Sequence, residues 1–154
     1  MKANNFSFIS IEPKNGNFVA SMSMEGFIDN EVDPEVLTRN AINIYEKYIK
    51  RMRNFIGGIQ DDRKKRKPIF ARKIWQLGNA IFKMTEELEN LSLYLDNLYY
   101  HLTRDLGVKR KWLEKVVIFR RYILEVSLIP KSLNWGRCEK GTRNIAEKIS
   151  KGSI

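Results

Sequence analysis

The side chains best suited to chemistry in this sequence are its lysines and arginines, which bind phosphate. Lys and Arg number 28 against 18 Asp and Glu, so the 154-residue chain carries a formal net charge of +10. A basic domain of this size most often binds nucleic acid, because the phosphate backbone supplies much of the attraction in protein–nucleic acid complexes. The charge is also uneven, which favours an oriented binding face. Residues 24–36 contain five acids and no base, whereas two other segments concentrate the positive charge.

Two basic segments supply the candidate binding residues. The first is an unbroken run over residues 63–67, predicted to be a loop that contacts backbone phosphates, or alternatively a solvated loop without a ligand. The second opens a predicted helix at residue 109, where three bases would enter or line a groove and the following ones would bind phosphates. The predicted nucleic-acid-binding residues are Arg63, Lys64, Lys65, Arg66, Lys67, Lys109, Arg110, Lys111, Lys115, Arg120 and Arg121.

The sequence offers little to an active site or a metal ion. The single histidine, His101, has no second His or Cys nearby, and we expect it at a helix surface or an interface. The single cysteine, Cys138, is expected to be a buried or idle thiol, because no general base accompanies it. Glu12-Pro13-Lys14 fits half of a nuclease metal site, but no acid precedes it to supply the second carboxylate. We therefore predict no catalytic residue, no metal and no cofactor.

Alternating apolar residues predict a β-hairpin near the start of the chain. Residues 6–11 and 18–24 alternate, and Asn15-Gly16 between them is a strong hairpin signal because both residues tolerate positive φ. A lone hairpin is marginal in water, so this one must pack on helices or on a partner chain. An exposed edge could also add a strand to a partner sheet.

Helical periodicity dominates the rest of the chain. Asp33-Pro34 predicts the N-cap and first position of a helix, and Gly57-Gly58 predicts its end. Pro68 is predicted to open a second helical region, either one helix or two with a break near residues 89–90. Another helix is predicted over about 109–127. The leucine stripe in the second region would serve as core or as a dimer contact; it consists of Leu91, Leu95, Leu98 and Leu102.

Residues 102–116 have the pattern of a helix-turn-helix unit. Gly107 stands where the chain leaves the first helix, a position that takes a left-handed conformation. The apolar positions that would set the angle between the helices are Leu102, Leu106, Val108, Leu113 and Val116. Lys109, Arg110 and Lys111 begin the second helix, where recognition helices place groove-facing side chains. An ordinary helical hairpin has the same pattern.

Four motifs follow one another between residues 74 and 135. Residues 74–81 are similar to "YWxIGxxI", 102–106 to "LSxDL", 107–119 to "GFSxxNLxxMxxF" and 133–135 to "LSW". Together and in this order they resemble the N-terminal domain of YhcG-type PD-(D/E)XK nucleases. Val108, Lys109 and Trp112 replace Phe, Ser and Asn of that pattern. The resemblance covers about residues 74–143 and implies a helical, DNA-binding domain of bacterial or mobile-element proteins. The nuclease domain that usually follows in that family has no counterpart in these residues.

These observations predict a mainly α fold, a helical domain with a helix-turn-helix-like unit and a small N-terminal β-hairpin. The hairpin and an acidic linker would occupy residues 1–32, and the helical nucleic-acid-binding domain 33–154. No apolar run is long enough to span a bilayer and no secretory signal is found, so we expect a cytoplasmic protein without a membrane contact.

The predicted function is that of a non-enzymatic DNA-binding module, acting alone or with a nuclease or defence partner. Duplex DNA is favoured as the ligand and RNA is the second choice, and reading two half-sites would require a homodimer. The alternative is a small helical interaction subunit of a larger nucleoprotein complex, docked through the hairpin or the acidic residues 24–36.

Overall fold

Six helices and a three-stranded sheet make up residues 6–23 and 33–153, which are the residues that the structure, a computed structural model, describes. The strands are β1 (Ser7–Lys14), β2 (Asn17–Met22) and β3 (Leu93–Leu95), and the helices are α1 (Pro34–Lys64), α2 (Ala71–Glu89), α3 (Leu98–Leu106), α4 (Arg110–Tyr122), α5 (Gly136–Glu139) and α6 (Thr142–Ser150). The mainly helical fold with a small N-terminal hairpin is confirmed. Most of the acidic linker, residues 24–32, lies outside the described residues.

The hairpin forms where Asn15 and Gly16 predict it. Their φ angles of 52° and 82° give the left-handed turn that joins β1 and β2 in antiparallel register. The hairpin packs on the chain's own helices, since the Phe18 ring lies edge-on to Tyr45 of α1 with ring centroids 5.2 Å apart. A third strand, β3, pairs in parallel with the other side of β1 and gives the order β2-β1-β3. The sequence analysis missed β3.

Helix α1 is longer than predicted. Asp33 caps it as expected, because its Oδ1 accepts a hydrogen bond from the backbone N–H of Glu35 at 2.9 Å. The predicted end at Gly57-Gly58 is wrong, since the helix continues to Lys64. Ile56 and Ile59 are buried on either side of this pair, and their packing outweighs the cost of about 1 kcal/mol for each helical glycine.

The second helical region is divided by a strand. Helix α2 starts at Ala71 and not at Pro68, because residues 67–69 are irregular and Phe70 forms an isolated β-bridge to Asn134. It ends at Glu89, and the turn and β3 that follow separate it from α3. The leucine stripe belongs to the chain's own core, with Leu102 buried and the remaining members packed against it, namely Leu91, Leu95 and Leu98.

The C-terminal segment completes the core. Helix α4 ends at Tyr122, five residues before the predicted end, and Val126–Leu128 form a single 3-10 turn. Ile123 has an extended backbone conformation, and its carbonyl accepts a hydrogen bond from Trp75 Nε1–H at 2.7 Å. Trp135 of the tail is buried edge-on against Phe119 of α4, with ring centroids 5.3 Å apart.

Candidate nucleic-acid interface

The segment predicted to be a helix-turn-helix unit consists of α3, a three-residue turn and α4. Gly107 has φ +66° and ends α3 in the left-handed conformation that its position predicts. The apolar positions contribute to the core as predicted, with Val108 partly buried and four residues buried, namely Leu102, Leu106, Leu113 and Val116. This turn and this packing occur in helical hairpins of many kinds, so the assignment as a DNA-binding unit stays a prediction.

The exposed side of α4 carries most of its bases. Lys111 and Lys115 are one helical turn apart on the side that faces away from the buried Leu113 and Val116. Arg110 and Arg121 lie three turns apart at the border with α3, and both act electrostatically on Tyr99. Arg110 lies over the Tyr99 ring at 5.2 Å from its centroid and forms an ion pair with Glu114 at 3.0 Å.

The structure brings the two predicted basic segments together. The guanidinium carbon of Arg63, in the last turn of α1, lies 6.0 Å from the ring centroid of Trp112, in the first turn of α4. Arg63 and Trp112 are 49 positions apart in the sequence, so their contact could not be predicted from either segment alone. We call residues 63–67 together with 109–111 the basic surface.

Residues 63–67 are not the loop that the sequence predicts. Arg63 and Lys64 belong to α1, and the chain then turns, with Arg66 at φ +54°. The backbone N–H of Lys67 donates to the carbonyl of Asp62 at 2.8 Å, which ties the turn to the helix. Five consecutive bases are therefore presented by an ordered helix end, and two of them lie where the helix dipole favours positive charge.

Few of these bases are neutralised by the chain itself. Lys65 pairs with Asp61 at 3.0 Å, and Arg110 pairs with Glu114. Within residues 6–23 and 33–153, no carboxylate lies within 4.0 Å of the other predicted binding residues that remain exposed or half-buried, namely Arg63, Lys64, Arg66, Lys67, Lys109, Lys111, Lys115 and Arg121. The first turn of α4 also holds no acid and no capping side chain, so the positive end of its dipole adds to the basic surface.

The predicted position of Arg120 on the phosphate-binding face is corrected by the structure. Its side chain is buried between α2 and α4, where its Nε–H donates to Asn79 Oδ1 at 2.9 Å. A Cβ at Gly78 would lie 2.7 Å from the Cβ of Arg120, so the two helices are in close contact at this point. Residue 120 is seven positions after Leu113 and four after Val116, which places it on their side of the helix.

His101 is a core residue and not a surface one. It is buried, and its Nε2 accepts a hydrogen bond from the backbone N–H of Ile11 at 3.0 Å, while Nδ1–H donates to the carbonyl of Asn97 at 3.0 Å. The first bond attaches α3 to β1, and the second fixes the orientation of the imidazole ring within α3. Cys138 is buried as predicted, and desolvation raises the pKa of its thiol to about 11. A thiol with this pKa is a poor nucleophile at neutral pH.

Among residues 6–23 and 33–153, the acidic side chains form no candidate metal site. Glu12 lies exposed on β1. In the part of the chain that the structure describes, no three side chains of His, Cys, Asp or Glu converge as metal ligands would. The helices described here are also too short or too polar to cross a bilayer.

Comparison with known proteins yields no assignment. No family model matches the chain, and no significant similarity is found to a curated protein or to a solved structure. The resemblance to the YhcG-type N-terminal domain therefore remains an interpretation of its four motifs.

Proposed function

We propose that this chain is a non-enzymatic nucleic-acid-binding module that holds duplex DNA on the basic surface. The contact between Arg63 and Trp112 carries the proposal, because it joins the end of α1 and the start of α4 into one positively charged area. Lys109 and Lys111 then contact the groove edge, and residues 64–67 contact the neighbouring phosphates.

Electrostatics supports an anionic ligand at this place. The bases of the basic surface that lack a carboxylate partner repel one another, and a bound polyanion removes that repulsion while releasing counterions. Duplex DNA is favoured over a single strand because exposed aromatic side chains, which single strands stack on, are not concentrated here. Trp112 is half-buried beneath Arg63, and Tyr99 is half-buried beneath Arg110.

The test is a titration of the full chain with duplex DNA, single-stranded DNA and a structured RNA across a range of salt concentrations. The double variant Lys109→Ala/Lys111→Ala is expected to bind duplex DNA about tenfold more weakly, and the slope of log affinity against log salt should fall by about 2, because two positive charges that release counterions at the groove edge are removed. Both side chains are exposed, so the variant should fold.

The matched control is Arg39→Ala/Lys50→Ala, which removes the same charge from exposed positions of α1. At 1.5 Å per residue, Arg39 lies about 36 Å and Lys50 about 20 Å along the helix from Arg63, so this variant should bind more nearly as the parent does. Equal weakening in the two double variants would show that only net charge matters, and would contradict an oriented interface. Tighter binding of the RNA than of the duplex would overturn the choice of DNA.

A further inference from the structure

Arg120 has an environment that fold stability alone does not explain. The residue is 9% exposed, and its one hydrogen bond within the described residues joins Nε to Asn79 Oδ1. No described carboxylate lies within 4.0 Å of its guanidinium. Burial lowers the pKa of Arg120, and the more distant Glu86 opposes that shift. The guanidinium stays charged at any ordinary pH, so it loses part of its hydration here without a described carboxylate within 4.0 Å to replace it.

The guanidinium is nevertheless held in a defined position. Its central carbon lies 5.0 Å from the Trp75 ring centroid and 4.3 Å from that of Phe82, which are cation–π distances. Trp75 is itself anchored to the carbonyl of Ile123. The terminal nitrogens of Arg120 make no hydrogen bond within the described residues, and they keep access to solvent. A fixed, planar donor of this kind matches the two oxygens of a carboxylate.

One exposed aromatic side chain contacts this donor, and an exposed leucine lies four residues after Arg120 in the sequence. Phe82 is 45% exposed although it contacts Arg120, and Leu124 is 74% exposed one residue after the carbonyl that anchors Trp75. Aromatic residues and arginine are enriched at the centres of protein–protein interfaces. A phosphate backbone would leave these apolar side chains uncovered, whereas a peptide would cover them.

The site also lies away from the basic surface. Arg120 is nine residues after Lys111, and at about 100° per residue this places the two side chains on opposite sides of α4. DNA bound by Lys111 therefore does not reach Arg120. The helix can present one side to nucleic acid and the other to a different ligand.

We propose that Arg120, Phe82 and Leu124 form a docking site for a protein partner that presents an acidic side chain beside an apolar one. The partner's carboxylate binds the free edge of the guanidinium, and its apolar side chain covers Phe82 and Leu124. Charge complementarity decides the occupant, because this cation has no described carboxylate within 4.0 Å and belongs to a chain of net charge +10, which favours an anionic partner. This inference does not depend on DNA binding.

The experiment uses the full chain labelled with ¹⁵N and synthetic peptides in which one Glu is flanked by Leu and Phe, each with a Gln counterpart. The signals followed are Nε–H of Arg120 and Nε1–H of Trp75. The Glu peptides should shift these signals and bind at least about tenfold more tightly than the Gln peptides, because only the carboxylate takes two charge-assisted hydrogen bonds. No shift with any Glu peptide at millimolar concentration would overturn the proposal, as would equal binding of the Gln set.

Leu124→Ser tests the apolar part of the site without threatening the fold, because this side chain is mostly exposed. It should weaken the Glu peptides about tenfold, whereas Val36→Ser, at a 42% exposed valine on α1, should leave binding unchanged. Arg120→Lys keeps the charge but loses the planar donor, and should weaken binding similarly. If duplex DNA shifts the Arg120 and Trp75 signals while the Glu peptides do not, the ligand is phosphate and the protein partner is excluded.

Discussion

Arg104 and Arg120 are both largely withdrawn from solvent, and their surroundings differ in one respect. Arg104 forms an ion pair with Asp105, with Nη2 to Oδ2 at 2.8 Å and Nε to Oδ1 at 3.0 Å, and it also donates to the carbonyl of Ile11. Tyr45 Oη donates to the same carboxylate. Arg120 has two aromatic rings and one amide oxygen around it, and no carboxylate among the described residues.

Arg104 has its counterion in the same helix, whereas Arg120 has none within 4.0 Å among the described residues. Arg104 and Asp105 satisfy each other and connect α3 to the sheet and to α1, so nothing is left for a ligand. At Arg120 the described residues supply the orientation of the guanidinium but no carboxylate within 4.0 Å of it. Burial of an arginine therefore does not assign its role; the decisive observation is whether its counterion belongs to the same chain.

The largest predicted effect compares the two arginines directly. Arg104→Met leaves the carboxylate of Asp105, which is 4% exposed, without its cation, and should lower the free energy of unfolding by about 3 kcal/mol. Arg120→Met leaves no described carboxylate without a partner and should cost less than about 1 kcal/mol, because the methionine keeps the contacts with the rings. Urea unfolding followed by circular dichroism measures both. Equal losses would mean that Arg120 is a structural residue, and would remove the basis of the docking site.

The next prediction concerns the helix contact that positions Arg120. A Cβ at Gly78 would lie 2.7 Å from Arg120 Cβ and 2.9 Å from the carbonyl oxygen of Val116, so Gly78→Ala should destabilise the fold by about 2 kcal/mol. Gly57→Ala is the matched control in α1, where no atom lies within 4 Å of the new Cβ, and it should stabilise the fold by about 0.5–1 kcal/mol. Thermal unfolding of the two variants should shift in opposite directions. A stabilised Gly78→Ala variant would contradict the close approach of α2 and α4.

Acid should reduce the contribution of the Arg104–Asp105 ion pair to the free energy of unfolding. It should not change the contribution of Arg120, which has no described carboxylate beside it. Burial acts to raise the pKa of Asp105, but hydrogen bonds from Arg104 and Tyr45 outweigh it and the pKa is lowered below 3.8. A carboxylate with a depressed pKa stabilises the fold above its unfolded-state pKa, and this contribution is lost as pH falls through the folded-state value. Asp105→Asn should therefore cost stability at pH 7 and progressively less below about pH 4. A stability gap that stays constant down to pH 2 would show that the carboxylate charge is not what matters.

The sequence predicts those parts of the fold that depend on local chemistry. Asn15-Gly16 forms the hairpin turn, Asp33 caps α1 and Gly107 ends α3, because in each case the residue type determines the backbone conformation. The end of α1 was missed because tertiary packing of Ile56 and Ile59 overrides the helix-breaking tendency of Gly57-Gly58.

The candidate sites could likewise be predicted only as far as they depend on local sequence and not on tertiary packing. The basic segments are visible in the sequence, but their meeting at Arg63 and Trp112 depends on how α1 and α4 pack. The burial of Arg120 did have a signal, since its spacing from Leu113 and Val116 continues the apolar stripe of α4. No sequence signal indicated strand β3, because its three residues lie in a leucine-rich stretch that resembles the apolar stripe of a helix.

The smallest predicted effect on stability belongs to the basic surface. Lys109 and Lys111 are exposed, and neither pairs with a described carboxylate, so Lys109→Ala/Lys111→Ala should change the free energy of unfolding by no more than about 0.5 kcal/mol. The sign should be stabilising at low salt, because the variant removes repulsion within a chain of net charge +10, and the gain should vanish at about 0.5 M salt, where charges are screened. Unfolding in urea at the two salt concentrations measures this. If the double variant is less stable than the parent at low salt, the two lysines contribute to the fold. If it is more stable there and binds DNA more weakly, their positive charge serves a ligand and not the fold.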